Sequence, residues 1–188
     1  MRKKIIFVSG SPGSASSSLH NHVKNYLNAE SFSFKAHGGI GHLNIFISKL
    51  DYLRIKFLLL IGKNVILNQH LFPTKHNMDK LDKCFGLDNI YFLVTYRNIF
   101  EVASNLMRWK KEKNNYPLSF YDYSGKNDAS KRGNKEIDYL QIFLVINFAR
   151  LWFKINKEKK LKNILLVDFN DMKSNNPSLE KKLSKILN

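Results

Sequence analysis

The sequence has 188 residues, of which 44% are hydrophobic and 13% aromatic, so it can form one domain with a core, and a disordered chain is excluded. Its single cysteine, Cys84, excludes a disulfide framework within the chain and suits a reducing compartment. The net charge of +16 indicates an anionic partner, which could be a nucleotide-like cofactor, an acidic glycan, nucleic acid or a membrane surface. A composition that is rich in lysine and asparagine would also produce this charge.

The apolar runs bear on the location of the protein. The run that follows Arg2, Lys3 and Lys4 covers only residues 5–8, whereas a signal peptide needs roughly 7–15 apolar residues. No run reaches the roughly 20 residues of a membrane-spanning helix. We therefore expect a cytoplasmic protein with no membrane span. The lysines are scattered and are not interleaved with aromatic residues, which disfavours a nucleic-acid partner.

The first third of the chain predicts a strand, a loop and a helix. Residues 5–8 form a continuous apolar run that is typical of a buried parallel strand. A Ser- and Gly-rich loop follows from Ser9 to Ser18. Helical spacing of apolar residues then predicts a helix from about 15–18 to about 28, and residues 29–42 are expected to form a loop.

The middle of the chain alternates helices with strands. A helix is predicted from 44 to about 60, because Ile45, Phe46, Leu50, Leu53 and Phe57 share one face. The elements predicted after it are a strand over 65–67, a short helix over 78–85 that is closed by Gly86, and a strand over 90–95.

The last part of the chain continues this alternation. We predict a helix from 99 to about 113, a long loop over 114–134 of the kind that often serves binding, a helix from 135 to about 159, a strand over 164–167 and a closing helix over 177–187.

Together these elements predict a single α/β domain over residues 1–188. The expected architecture is three-layered and P-loop-like, with a central parallel sheet of about four to five strands and helices on both faces. Ligands of such sheets bind at the carboxyl ends of the strands. That edge would gather the loop from Ser9 to Ser18, His70 and Arg97.

The loop between the first strand and the first helix has the composition of an anion cradle. Successive backbone N–H groups of such a loop, the positive end of the helix and the serine hydroxyls can all face a phosphate or sulfate group. A Walker A motif would need Gly-Lys-Ser/Thr at the start of the helix, and this chain has Ala15, Ser16 and Ser17 there. The sequence therefore disfavours an ordinary ATP- or GTP-hydrolysing enzyme.

Four segments resemble the sulfotransferases that use 3′-phosphoadenosine 5′-phosphosulfate (PAPS), and they follow the order of that family over about residues 5–187. Pro12 to Leu19 is similar to the family's Pro-Lys-Ser-Gly-Thr-Thr loop. The segment that begins with Thr95-Tyr96-Arg97-Asn98 resembles the one that binds the cofactor's 3′-phosphate. Val65 to Pro73 is similar to a strand that ends in His-Leu-Pro. Leu165 to Met172, followed by Pro177, resembles the family's late strand and closing helix.

The resemblance implies transfer of a sulfuryl group from PAPS to a hydroxyl acceptor such as a carbohydrate. It assigns His70 as the catalytic base, a role that suits a histidine pKa. It assigns cofactor binding to Pro12, Gly13, Ser14, Ala15, Ser16, Ser17, Ser18, Arg97, Ser104 and Asn105. The other interpretation of Arg97 is an ion pair with Glu101, one helical turn on.

The chain departs from the family at two loop positions, since Gly13 stands where the family has its lysine and Ala15 where it has glycine. Lys131, Arg132 or Lys135 could supply the missing cation. A catalytically impaired binding protein of the same fold is one alternative. Another is a P-loop-type kinase, for which Asp168 is the candidate magnesium ligand.

No metal site is expected. His37 and His42 have no third ligand at a recognisable spacing, and His20 and His22 face different sides of their predicted helix.

Overall fold

The computed structural model describes residues 4–10, 14–27, 29–33, 47–68, 71–102, 104, 134–158, 160–173 and 177–187. Its strands are β1 (Ile5–Gly10), β2 (Glu30–Ser33), β3 (Val65–Asn68), β4 (Ile90–Tyr96) and β5 (Ile164–Asp168). Its helices are α1 (Ser16–Leu27), α2 (Lys49–Leu60), α3 (Lys75–Phe85), α4 (described over 99–102 and 104), α5 (Asn134–Lys157), α6 (Phe169–Lys173) and α7 (Pro177–Leu187), with a 3-10 turn at Leu87–Asn89.

The five strands form one parallel sheet in the order β2-β3-β1-β4-β5. β1 is central, and Ile5 pairs with Val65 of β3 on one side and with Ile90 of β4 on the other. The predicted parallel α/β fold is therefore confirmed. Because β1 is central, its carboxyl end lies between those of β3 and β4.

Alternate residues of β1 supply two separate hydrophobic cores, as the period of two in a strand requires. Ile5 and Phe7 belong to the core that α2, α3 and α5 cover, whereas Ile6 and Val8 belong to the core that α1 and α7 cover. Every residue of β1 is buried. Helices therefore cover both faces of the sheet, and the predicted three layers are confirmed.

β2 corrects the sequence-based prediction, which placed a loop over residues 29–42. This strand has the sequence ESFS and lies at the edge of the sheet, where it pairs only with β3. An edge strand with serine and glutamate lacks the continuous apolar run by which a buried strand is recognised. β2 belongs to the sheet because it pairs in parallel with β3, starting with Glu30 opposite Val65.

Capping residues account for two further differences from the predicted boundaries. α2 begins at Lys49 because Ser48 Oγ accepts a hydrogen bond from Asp51 N at 3.0 Å and donates one to the Asp51 carboxylate at 2.6 Å. α3 begins at Lys75, before the predicted Met78, because Thr74 caps it by accepting from Asn77 N at 3.3 Å. Residues 44–46, with which the predicted helix began, lie outside the described residues.

Candidate functional site

Gly10 ends β1 at a point where the following chain turns back against β4. A Cβ on Gly10 would lie 2.5 Å from Ser14 Oγ, 3.1 Å from Ser16 Cβ and closer still to Thr95 Oγ1. The φ angle of Gly10 is not in the left-handed region, so lack of space is the reason for the glycine. Its missing side chain lets the start of α1 approach the carboxyl edge of the sheet.

A buried hydrogen bond then fixes the end of the loop to β4. Ser14 Oγ and Thr95 Oγ1 are 2.8 Å apart, and both residues are at most 1% exposed. Thr95 Oγ1 also donates to Ser9 O at 3.4 Å. Ser14, which the sequence assigns to cofactor binding, is thus part of the internal support of the loop.

Ala15 turns the chain into α1 with a φ of 66°, a left-handed value that is uncommon for a residue other than glycine. The first amide–carbonyl bond runs from Ser18 N to Ala15 O at 3.0 Å. The amides of Ser16 and Ser17 precede this bond, where a helix leaves its N–H groups without intrahelical partners. Ser16 is buried, whereas Ser17 and Ser18 are exposed at the start of α1.

Three buried hydrogen bonds hold the chain that enters α3, and they connect it to β1, to α5 and to the first turn of α3. Ser9 Oγ accepts from Leu71 N at 3.0 Å, and Trp152 Nε1 donates to Leu71 O at 3.1 Å. Asn77 Nδ2 donates to Phe72 O at 2.8 Å. His70 lies outside the described residues, so its role as the catalytic base stays a prediction.

Arg97 follows β4 and forms the local ion pair that the sequence left as the alternative to a phosphate contact. Its Nε donates to Glu101 Oε2 at 2.6 Å, and its guanidinium carbon lies 3.9 Å from the centre of the Phe169 ring. The Arg97 side chain is only 18% exposed. Ser104 is exposed on α4. The cofactor-binding residues Pro12, Gly13 and Asn105, and the basic residues Lys131 and Arg132, lie outside the described residues, as does the side chain of Lys135.

Asp168 ends β5 and already has two polar contacts. Its Oδ1 accepts a hydrogen bond from Asn170 N at 2.8 Å, which starts α6. Burial raises the pKa of Tyr96, and the Asp168 carboxylate, which accepts a hydrogen bond from Tyr96, raises it further. Among the residues that the structure describes, no three metal-ligating side chains come together.

A cavity of about 150 Å³ lies beside the first turns of α1. The residues that line it come from α1, α6 and α7, namely Ser18, Leu19, His22, Asp171, Met172, Leu179 and Glu180. Its walls combine an apolar side, from Leu19, Met172 and Leu179, with polar groups. Sequence reasoning missed this cavity because α1, which forms one side of it, is far in the chain from α6 and α7.

No protein-family model matches the chain, and no curated protein matches it. Among solved structures, a proposed kinase from Chloroflexus aurantiacus matches over 98% of both chains with a TM-score of 0.52 and 11% identity. The fold is P-loop-like.

Two further solved kinases give lower scores. Deoxyadenosine kinase from M. mycoides, with bound dATP, matches over 96% of this chain and 99% of its own, with a TM-score of 0.47 and 14% identity. A gluconokinase from Sinorhizobium meliloti matches over 84% and 97%, with a TM-score of 0.38 and 13% identity.

Counted from Gly10, the spacing of the Gly-x-x-x-x-Gly-Lys-Ser/Thr pattern would align Ala15, Ser16 and Ser17 with its second Gly, its Lys and its Ser/Thr. Ala15 has the left-handed φ that favours glycine, and Gly10 has no space for a side chain. Ser16, which stands at the lysine position of this alignment, is buried. Within the described part of the chain, no helix is long and apolar enough to cross a membrane.

Proposed function

We propose that this protein binds a nucleotide through its phosphate groups, at the cradle formed by Gly10, the loop that follows it and the first turn of α1. The observation that carries the proposal is the left-handed φ of Ala15 directly before α1, with the amides of Ser16 and Ser17 ahead of the hydrogen bond from Ser18 N to Ala15 O. Helix N-termini at this position bind anionic groups through free amides and the helix dipole. The net charge of +16 further favours an anionic ligand.

The cavity beside α1 supports a ligand larger than a free phosphate. It begins at Ser18, next to the cradle, and its apolar wall fits a flat, weakly polar group such as a nucleobase. A phosphate on the first turn and a base along the next turn of α1 would use both features. The proposed ligand is therefore a phosphorylated nucleoside.

The proposed reaction is group transfer, with phosphoryl transfer from a nucleoside triphosphate as the candidate that the fold supports best. A solved structure that shares the fold is a proposed kinase, which favours the kinase alternative over the sulfotransferase. Catalysis would consist mainly of positioning the donor and stabilising charge on the transferred group. Ser16 in place of the Walker lysine leaves that charge to another cation.

Sulfuryl transfer from PAPS to a hydroxyl acceptor is the second candidate, and Ser16 is the observation that favours it. A sulfuryl group carries one negative charge, whereas a terminal phosphate carries nearly two at neutral pH, so its transfer needs less neutralisation by the loop. Arg97, at the end of β4, would hold the 3′-phosphate once it is released from Glu101. His70 would accept the proton of the acceptor hydroxyl.

Thermal stabilisation by ligands tests the proposal. A ligand at 100 times its Kd adds about 2.7 kcal/mol of stability, which corresponds to a rise in Tm of roughly 5–10 °C for a domain of this size. We expect this rise with ATP or GTP for a kinase-like site and with adenosine 3′,5′-bisphosphate for a sulfotransferase-like site. Inorganic tripolyphosphate controls for unspecific binding to a basic protein. No rise above that of tripolyphosphate with any nucleotide would overturn the proposal.

A matched pair of variants locates the binding. Ser17→Glu places a carboxylate in the first turn of α1 and should abolish the nucleotide-dependent rise in Tm. Asn21→Glu adds the same charge one turn further on, where the helix terminus has little effect, and should preserve it. Equal responses of both variants would place the ligand elsewhere.

A further inference from the structure

The outer face of α2 carries an uninterrupted apolar stripe. Leu50, Leu53, Phe57, Leu60 and the C-cap residue Ile61 are 65%, 62%, 60%, 84% and 54% exposed. Their spacing of three, four, three and one residues places them on one side of a helix. The sequence pattern identified part of this face, and the structure directs it away from the core.

The hydrophobic core uses the opposite face of the same helix. Ile55 is fully buried, and Tyr52, Leu58 and Leu59 pack against the core beneath the sheet. α2 is therefore apolar on two faces. Packing among the described residues accounts only for the inner face.

Basic side chains lie on both sides of the stripe. At 100° per residue, Lys49 lies about 70° to one side of the centre of the stripe and Arg54 about 70° to the other. Both are exposed, and Lys63 follows just beyond the end of the helix, also exposed. The one carboxylate of α2, Asp51, is hydrogen-bonded to Ser48 at the N-cap and lies outside the stripe. An apolar stripe between cationic margins is typical of helices that lie in the surface of a membrane.

We propose that the outer face of α2 binds the surface of an anionic lipid bilayer, with the apolar stripe in the headgroup region and Lys49 and Arg54 against lipid phosphates. This surface is additional to the proposed nucleotide site and does not depend on it. Anionic headgroups complement both these basic residues and the net charge of +16.

A second copy of the chain fits the stripe less well. For side chains of roughly 150–250 Å² each, the five exposed fractions correspond to roughly 500–800 Å². A stable protein–protein interface buries about 800 Å² on each partner. Two copies would also bring together two chains of net charge +16, whereas an anionic bilayer attracts each of them.

Vesicle co-sedimentation with the full chain tests the proposal. Vesicles of phosphatidylcholine with about 30% phosphatidylserine carry the surface charge that attracts basic residues, and vesicles of phosphatidylcholine alone do not. We expect binding to the anionic vesicles and much weaker binding to the neutral ones.

Two matched pairs of variants separate the apolar and the basic contributions. Leu53→Ser with Phe57→Ser should weaken binding to anionic vesicles at least roughly tenfold, since binding scales with buried apolar area. Phe100→Ser, at a residue 81% exposed on α4, makes a similar change elsewhere and should leave binding unchanged.

Lys49→Gln with Arg54→Gln should weaken binding to anionic vesicles roughly 25-fold, at about fivefold for each basic residue. Lys181→Gln with Lys185→Gln, on the exposed surface of α7, lowers the net charge equally and should have a much smaller effect.

Equal binding of the wild type and of the Leu53→Ser, Phe57→Ser variant would overturn the proposal, because binding would then follow net charge alone. Sedimentation velocity over a range of protein concentrations tests the second copy. If the wild type forms a dimer that the same variant abolishes, and the wild type does not bind vesicles, the stripe serves self-association. This result would also overturn the proposal. Leu60→Ser, at the most exposed of the five positions, repeats the test if the double variant fails to fold.

Discussion

Gly10→Ala tests whether the cradle depends on the close approach of the loop to β4. The new methyl group would lie 2.5 Å from Ser14 Oγ and even closer to Thr95 Oγ1, so the hydrogen-bonded pair would have to separate or shift. Overpacking costs about 1–3 kcal/mol, and a buried hydroxyl that loses its partner costs about 1–3 kcal/mol. Because one displacement causes both effects, we expect a loss of about 2–4 kcal/mol in the free energy of unfolding.

Urea unfolding and thermal melting measure this loss. For a domain of this size, about 2–4 kcal/mol lowers Tm by roughly 5–15 °C. Ala15→Gly is the matched control in the same loop, because glycine adopts the left-handed φ of 66° without strain and should keep or raise the stability. A Gly10→Ala protein whose urea midpoint and Tm equal those of the wild type would refute the proposed geometry of the cradle.

Three further predictions concern Arg97, His20 and Trp152. If Arg97 holds a phosphate, Arg97→Ala should weaken the binding of adenosine 3′,5′-bisphosphate roughly 10- to 100-fold in calorimetry. Glu101→Gln removes the charge that holds the Arg97 guanidinium and should therefore strengthen this binding. Unchanged affinity in both variants would show that Arg97 is a purely structural residue. Burial lowers the pKa of His20, with a smaller contribution from Lys24, so its contribution to stability is complete above pH about 6.5 and is lost as the pH falls through the folded-state pKa. Between pH 8 and pH 5, the free energy of unfolding measured in urea should therefore fall less in the His20→Gln variant than in the wild type. His22→Gln, on the exposed face of α1, is the control. An equal fall in the His20→Gln variant and the wild type would contradict this prediction. Trp152→Phe should lower the free energy of unfolding by about 1–3 kcal/mol, because Leu71 O loses its buried donor, and a urea midpoint equal to that of the wild type would contradict it.

The sequence predicted the elements whose local pattern is strong. β1, β3, β4 and β5 are continuous apolar runs between helices, and such runs indicate a buried parallel sheet. The position of the cradle followed from the same pattern, because the Ser- and Gly-rich loop comes directly after β1. The possible ion pair between Arg97 and Glu101 could also be read from the sequence, since residues one helical turn apart are neighbours.

Contacts between distant residues could not be predicted in this way. Ser14 and Thr95 are 81 positions apart, and only the register between β1 and β4 brings them together. β2 escaped prediction because its place depends on pairing with β3 and not on its own composition. The apolar pattern of α2 showed amphipathic spacing, but it did not determine which of the two apolar faces would pack against the sheet.

Backbone amide shifts measured by NMR during a nucleotide titration test the central claim, that the first turn of α1 holds the phosphate of a nucleotide. The titrant is whichever of ATP, GTP and adenosine 3′,5′-bisphosphate raises Tm most. The largest shifts should occur at the amides of Ser14 to Ser18, with smaller ones at Met172 and Leu179 in the cavity beside α1. Saturable shifts that leave the amides of Ser14 to Ser18 unmoved would contradict the claim.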